Sequence, residues 1–423
     1  MHKRCSIVGL WLLFLSTFVL AQEKTTITWM TDVGFGTGID EVIAAFQAEN
    51  PDIEVQVDRL PFNDLFAQIQ IRMNAGGSDP DVLMVDVPVT ASYGLRGWLA
   101  GLDDVFTDEE KANWIEAART AGTYDGALVS APVSTSTQML YYNKALFDRA
   151  GITPPGVDER WTWEQIAEAA PKLTFDEDGD GTPDIWGFNW EQTIRIYQLQ
   201  PLPVSLGALA IGEDGVTVDG IINSPEWVQA FTYYQDMFNA LKAAPQNDTV
   251  PSGDMFRTGN IAMFVGGPWN LNGYANEPLE FEWGVSRHPY FEGGSIAIPT
   301  GSWHVGVSAN SDQPEAAKKF VQFLSAGPGA EIWWRETGNL PAQLPILDMF
   351  QNDPQFETAP MSLMKVVANE ASENAVPRPV TVGYLEYEQI LQDAFNDIRN
   401  GSDVKTSLDT AASRIASEMA KYR

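Results

Sequence analysis

The sequence predicts an α/β fold shared between two domains, and three observations carry that reading. From residue 25 to residue 86, short apolar or alternating runs take turns with stretches of helical period. That is the grammar of a mostly parallel sheet covered by helices. The chain has 423 residues, more than one hydrophobic core usually organises. It contains no short internal repeat and no low-complexity tract, which argues against a solenoid.

Taken in order, residues 25–31 alternate and then run apolar, as a strand does. Residues 40–49 set Val42, Ile43 and Phe46 on one helical face, and Asn50-Pro51 stops the helix. Ile53, Val55 and Val57 alternate as a second strand. Leu65, Ile69 and Met73 recur at helical spacing until Gly76-Gly77, and residues 82–85 form a short buried strand ending at Asp86. A further strand at 140–143 enters a helix at 144–150, which breaks over 151–156. Thr162 followed by Gln165 is a capping box. Ser224-Pro225 opens a long helix with Val228, Phe231, Gln235 and Phe238 along one side. Residues 261–265 read as a strand ending in Gly266-Gly267-Pro268, and residues 303–308 as another. Gln313-Pro314 then starts a helix carrying Ala317, Phe320, Val321 and Leu324, and two helices at 385–399 and 404–422 finish the chain. The stretch 176–223 is rich in Gly and Pro without clear period, and reads as surface and cleft loops.

Residues 1–21 read as a secretory leader. His2, Lys3 and Arg4 precede an apolar run over 7–20, and Val19-Leu20-Ala21 has the small-residue spacing of a cleavage site, making Gln22 the mature N-terminus. The run is too short for a membrane span. Cys5, the only cysteine, precedes the run, so no lipid-bearing cysteine follows the cleavage point. The mature chain has no thiol and suits an oxidising compartment; a free, soluble periplasmic protein is expected. The net charge is −31, and losing Lys3 and Arg4 makes it more negative still. Such a surface repels nucleic acid and anionic lipid.

Catalytic motifs are absent: no Gly-x-Ser-x-Gly elbow, P-loop or dinucleotide fingerprint occurs. After the leader only His288 and His304 remain, too little for a transition-metal site. The abundant carboxylates leave a glycoside hydrolase with an Asp/Glu pair as the alternative class. The acidic turn over 176–184 repeats the first part of a calcium loop. Asp176, Asp178, Asp180 and Asp184 fall at positions 1, 3, 5 and 9, Gly181 at 6, and Thr182 offers a carbonyl at 7. Position 12 is Gly187 instead of Glu, so the loop is not a complete EF-hand. These five residues are the candidate ligands for a structural Ca²⁺; no other cofactor is expected.

A series of motifs then runs through the mature chain. Gly77-Ser78-Asp79-Pro80-Asp81-Val82 closes with Asp86, and Leu140-Tyr141-Tyr142-Asn143-Lys144 continues through Phe147 to Ala150-Gly151-Ile152. Trp161-Thr162-Trp163-Glu164 follows, then Gly259-Asn260-Ile261-Ala262-Met263 ending in Gly267-Pro268-Trp269. Pro314-Glu315-Ala316-Ala317-Lys318-Lys319-Phe320, and Arg378-Pro379 before Tyr384, complete it. In this order the chain resembles the extracellular solute-binding proteins of ABC importers, in the carbohydrate-binding branch that includes the maltose-binding proteins. The resemblance implies two α/β lobes, each discontinuous in sequence, closing on a ligand between them. It assigns residues 22–133 and 306–350 to the N-terminal lobe and 134–305 and 351–423 to the C-terminal lobe. It also implies capture of a sugar for membrane permease subunits, by a protein that works as a monomer.

A neutral sugar presents apolar C–H faces and a polar rim, so its site wants flat aromatics with carboxylates, amides and arginines. Trp269 follows a glycine break directly after a strand, on an expected loop, where the resemblance places a stacking aromatic. Trp303 follows Gly301-Ser302 and opens a strand. Asp86 ends a strand and Asp32 stands just after one, where a carboxylate would accept sugar hydroxyls. Ser136 and Thr137 stand where relatives carry polar ligand contacts. Arg378, stiffened between Pro377 and Pro379, offers directed donors, and it leaves open an acidic or phosphorylated sugar. Tyr384 would complete the wall. Of Trp333 and Trp334, adjacent on one helix, at most one faces the core while the other could reach the cleft.

Overall fold

The computed structural model describes residues 24–246, 250–352, 354–373 and 375–422. The leader assigned to residues 1–21 lies outside them. Two sheets organise the chain. The first runs in the order Leu340–Pro341, Ala131–Thr135, Ser302–Val307, Val82–Asp86, Thr25–Asp32, Ile53–Leu60. Its three earliest strands are parallel, while Ser302–Val307 returns antiparallel. Val82–Asp86 is buried along its whole length, which is why it reads as an unbroken apolar run. The helices Gly38–Glu49, Pro314–Ser325 and Pro328–Thr337 cover this sheet. Trp29 of the first strand meets Phe320 edge-on at 5.2 Å, and Phe46 meets the same ring at 5.0 Å.

The second sheet has the order Trp283–Ser286, Met139–Asn143, Met263–Gly266, Asn189–Trp190. Its pairs are antiparallel except the last, so the parallel pattern read near the N-terminus does not extend to it. The long helix Pro225–Phe238, capped by Ser224, packs against the C-terminal helix Tyr384–Arg399. Phe231 stacks on Phe395 at 4.4 Å and 14°. The carboxyl end of the chain thereby rejoins the side of the molecule that holds the second sheet.

The chain crosses between the sheets near residues 135–139 and 300–302. Ile298–Thr300 pairs with Ala375–Pro377 in a small parallel ribbon beside these crossings. The expected lobe limits at 133/134 and 305/306 fall inside the strands Ala131–Thr135 and Ser302–Val307, both paired in the first sheet. The stretch 176–223 is less irregular than its composition suggests. It holds the strand Asn189–Trp190 and the helices Ile196–Leu199 and Pro201–Ser205, each too short to show a period. Both Trp333 and Trp334 are buried, which corrects the expectation that at most one of them faces the core. Trp333 packs with Trp29 and Phe35, and Trp334 with Phe356 in a separate cluster. Among the described residues no helix is long and apolar enough to cross a membrane.

Candidate ligand-binding cleft

A cavity of about 310 Å³ opens between the two sheets. Six of the residues singled out in the sequence line it together: Asp32, Asp86, Ser136, Trp269, Trp303 and Arg378. Two do not. Thr137 is fully buried and its hydroxyl has no partner. Tyr384 is fully buried behind the wall; its hydroxyl lies 3.2 Å from a Glu388 oxygen, and the Arg378 guanidinium sits 6.0 Å from its ring. It supports Arg378 from behind and does not face the cavity.

Trp269 opens the helix Trp269–Asn276, correcting its expected place on a loop. Its indole N–H donates to Glu191 at 2.9 Å, and the Asn270 amide and the Gly267 N–H donate to the same carboxylate at 2.8 and 3.1 Å. Burial raises the Glu191 pKa, against the three donors that favour its charge. Gly267 is required by close approach: a Cβ there would stand 2.1 Å from the Trp269 ring.

Trp303 anchors the opposite aromatic wall, edge-on to Phe35 at 5.3 Å and to Phe62 at 5.8 Å, and parallel to Phe66 at 6.3 Å. Arg195 lies 4.5 Å over Phe62 and is tied at 2.8 Å to Glu388. This bridges an aromatic beside the first sheet to the C-terminal helix.

Where the chain crosses between sheets, Arg378 grips Asp86 through both nitrogens, one bond being 2.7 Å. Both side chains are buried. Burial works against the Arg378 charge, but Asp86 more than restores it and the pKa is raised. The carboxylate and guanidinium expected to address sugar hydroxyls separately thus meet each other. Arg378 also lies 5.1 Å over Tyr197, whose hydroxyl is 2.8 Å from Ser136 Oγ. Burial pushes the Tyr197 pKa up to about 12. Ser136 Oγ accepts the Gly301 N–H at 3.0 Å, which ties the two crossings together. Asp32 caps the short turn after its strand by accepting the Gly34 N–H at 2.8 Å. Burial raises its pKa, the Gly34 bond opposing.

Sequence reasoning passed over Phe35, Phe62, Glu191, Gln192, Arg195, Tyr197, Thr337 and Asn339, all of which line the cavity. A signal for two of them existed. Phe62 and Glu191 each stand just beyond the C-terminal end of a parallel strand, where ligands of α/β sheets bind.

None of the acidic-turn residues lines this cavity. Carboxylate oxygens of Asp176, Asp178 and Asp184 lie within 4.8 Å of one another, all on exposed residues. Asp180 instead accepts the Thr182 N–H at 2.7 Å and stands outside that group.

A family model described as bacterial extracellular solute-binding protein matches residues 33–329. The chain belongs to that family. It is 26% identical over 413 residues to the sn-glycerol-3-phosphate-binding periplasmic protein of Escherichia coli, covering 93% of this chain and 92% of the relative. A putative binding protein of Brucella abortus is 23% identical over 398 residues, with the same coverage. Among solved structures, an ABC substrate-binding protein of Listeria monocytogenes in complex with cycloalternan superposes with a TM-score of 0.81 at 29% identity, covering 94% of this chain and 100% of that one. The maltodextrin-binding domain of Bdellovibrio bacteriovorus bound to maltotriose gives 0.79 at 23% identity, with the same coverage. The solute-binding protein therefore has the two-lobed architecture of this family. Its relatives bind substrates and are not enzymes, so the glycosidase alternative is set aside.

Proposed function

We propose that this solute-binding protein captures a neutral mono- to trisaccharide in the cleft and delivers it to the permease subunits of an ABC-type importer. The observation that carries this reading is Trp269, an aromatic held at the cavity by the Glu191 carboxylate opposite a wall of aromatic rings. The cycloalternan complex of the Listeria relative supports it. The Escherichia coli relative named for sn-glycerol-3-phosphate raises an anionic ligand as the alternative, but the lining carries Asp32, Asp86 and Glu191 against Arg195 and Arg378. Among the described lining residues both arginines are already paired with carboxylates, which disfavours a phosphate.

A thermal-shift screen of mono- and oligosaccharides, amino acids and glycerol 3-phosphate tests the reading. Sugars should raise Tm and quench Trp fluorescence. If one ring covers about 60 Å² of apolar sugar surface, Trp269→Ala should weaken binding roughly tenfold. Stabilisation by glycerol 3-phosphate or an amino acid alone, or unchanged sugar affinity in that variant, would sink it.

The same reading has the chain exported by cleavage after Ala21, acting as a periplasmic monomer without nucleic-acid partners. The two lobes join at the crossings near Ser136 and Gly301, so that the limits expected at 133/134 and 305/306 move to the ends of the strands Ala131–Thr135 and Ser302–Val307. A structural Ca²⁺ in the acidic turn would take Asp176, Asp178 and Asp184, with Asp180 and the Thr182 carbonyl close by in sequence. Clustered carboxylates suit a hard cation with oxygen ligands.

A further inference from the structure

We infer that Glu191 is the positioning residue of the cleft, locking the plane of Trp269 for stacking instead of addressing the sugar itself. The inference rests on the carbohydrate reading above. Both carboxylate oxygens are engaged: Oε1 accepts the Trp269 Nε1–H at 2.9 Å and the Asn270 amide at 2.8 Å, while Oε2 accepts the Gly267 N–H at 3.1 Å. The three donors belong to one turn, so the carboxylate holds the entry to the helix Trp269–Asn276 at three points. Glu191 is itself anchored by its backbone N–H, which donates to Val265 at 3.0 Å. The holder thus follows the strand Asn189–Trp190 and is pinned to the neighbouring strand Met263–Gly266, whose end it organises.

Glycine backbone closes one side of this arrangement. A Cβ at Gly266 would stand 2.9 Å from Glu191 Oε2, and one at Gly267 2.1 Å from the Trp269 ring. With its hydrogen bond fixed at one edge and glycine backbone against another, the indole has lost much of its rotational freedom before a ligand arrives. Preorganisation of this kind raises affinity by removing an ordering cost from the binding step. A carboxylate is an acceptor at every lone pair, whereas an amide carries two donors on one side. Glu191→Gln keeps the shape of the side chain but turns an N–H towards at least one of the three donors. The ring should then sample orientations unsuited to stacking.

Two measurements separate this role from the alternatives. In ¹⁵N-indole spectra of the ligand-free protein, the Trp269 resonance, assigned by its loss in Trp269→Phe, should shift and lose exchange protection in Glu191→Gln. An unmoved resonance overturns the inference. For maltotriose and mannotriose as probes, Glu191→Gln should weaken binding about tenfold, the loss of one aligned ring contact. In a Trp269→Ala background the same substitution should have no further effect. A full second loss in that background means that Glu191 touches the sugar directly, and overturns the inference. Should Glu191→Gln fail to fold, Trp269→Phe supplies the test from the other side: it keeps a ring but removes the donor, and undiminished affinity would count against positioning. If neither sugar binds the wild type, the screen above supplies the probe or overturns the carbohydrate reading, while the indole spectrum of the ligand-free protein still decides the role of Glu191.

Discussion

Asp86 and Arg378 show how a side chain's meaning depends on its neighbour. Each is a reasonable ligand for sugar hydroxyls by type and by position, yet they form a buried two-bond pair. What remains to address a ligand is their outer edges, with the orientation of both already set. The histidines make a similar point about stability. His304 is fully buried, with Nδ1 2.9 Å from Ser130 Oγ and no partner for Nε2. Burial lowers its pKa to about 3, and burial with the nearby Arg160 does the same for His288. The unfolded chain takes up these protons near pH 6.5 and the folded chain does not until about pH 3. Stability is therefore fully present above pH 6.5 and is lost as the pH falls towards 3. At pH 5 each histidine should cost about 2 kcal/mol relative to neutral pH. Urea titrations at pH 7 and pH 5 should show a drop smaller by that amount in His304→Gln than in the wild type. Equal drops in the two proteins would refute the assignment.

Among the elements, those with a long period were legible and the short ones were not. The helix Pro225–Phe238 shows its Ser224 cap, its Pro225 start and its apolar face in the sequence, and folds accordingly. The strand Asn189–Trp190 spans two residues and shows nothing, although Glu191 directly follows it. The acidic turn is an element read from spacing alone. Gly179 and Gly181 adopt positive φ of 75° and 91°, and their N–H groups donate to Asp176 at 2.7 and 2.9 Å. These bonds curl the turn and bring Asp184 beside Asp176 and Asp178. If the turn binds Ca²⁺ only when folded, added calcium raises Tm, and EDTA lowers it in protein purified with the ion. Asp178→Asn should abolish the difference. No response of the wild type to either reagent would identify the turn as a solvated loop.

At the scale of the molecule, two sheets face each other across a cavity whose walls come from distant parts of the chain. Arg195 over Phe62 joins its walls, and the Asn272 amide donates to the Glu336 carbonyl at 3.2 Å beyond its lining. Each is a single contact, one cation over a ring and one hydrogen bond, as expected of lobes that part and close. Small-angle scattering with and without a stabilising sugar should report a smaller radius of gyration in the complex. Superimposable profiles would argue against closure. The sequence by itself determined what is local or periodic: the α/β class, the helix caps, the acidic turn, and the placing of Trp269 and Asp86 at strand ends. Tertiary structure alone decided which of these side chains meet. Asp86 finds Arg378 across 292 positions and Glu191 finds Trp269 across 78. Partnerships at such separations follow from how the sheets and crossings pack, and neither local conformational preference nor hydrophobic period carries information about them.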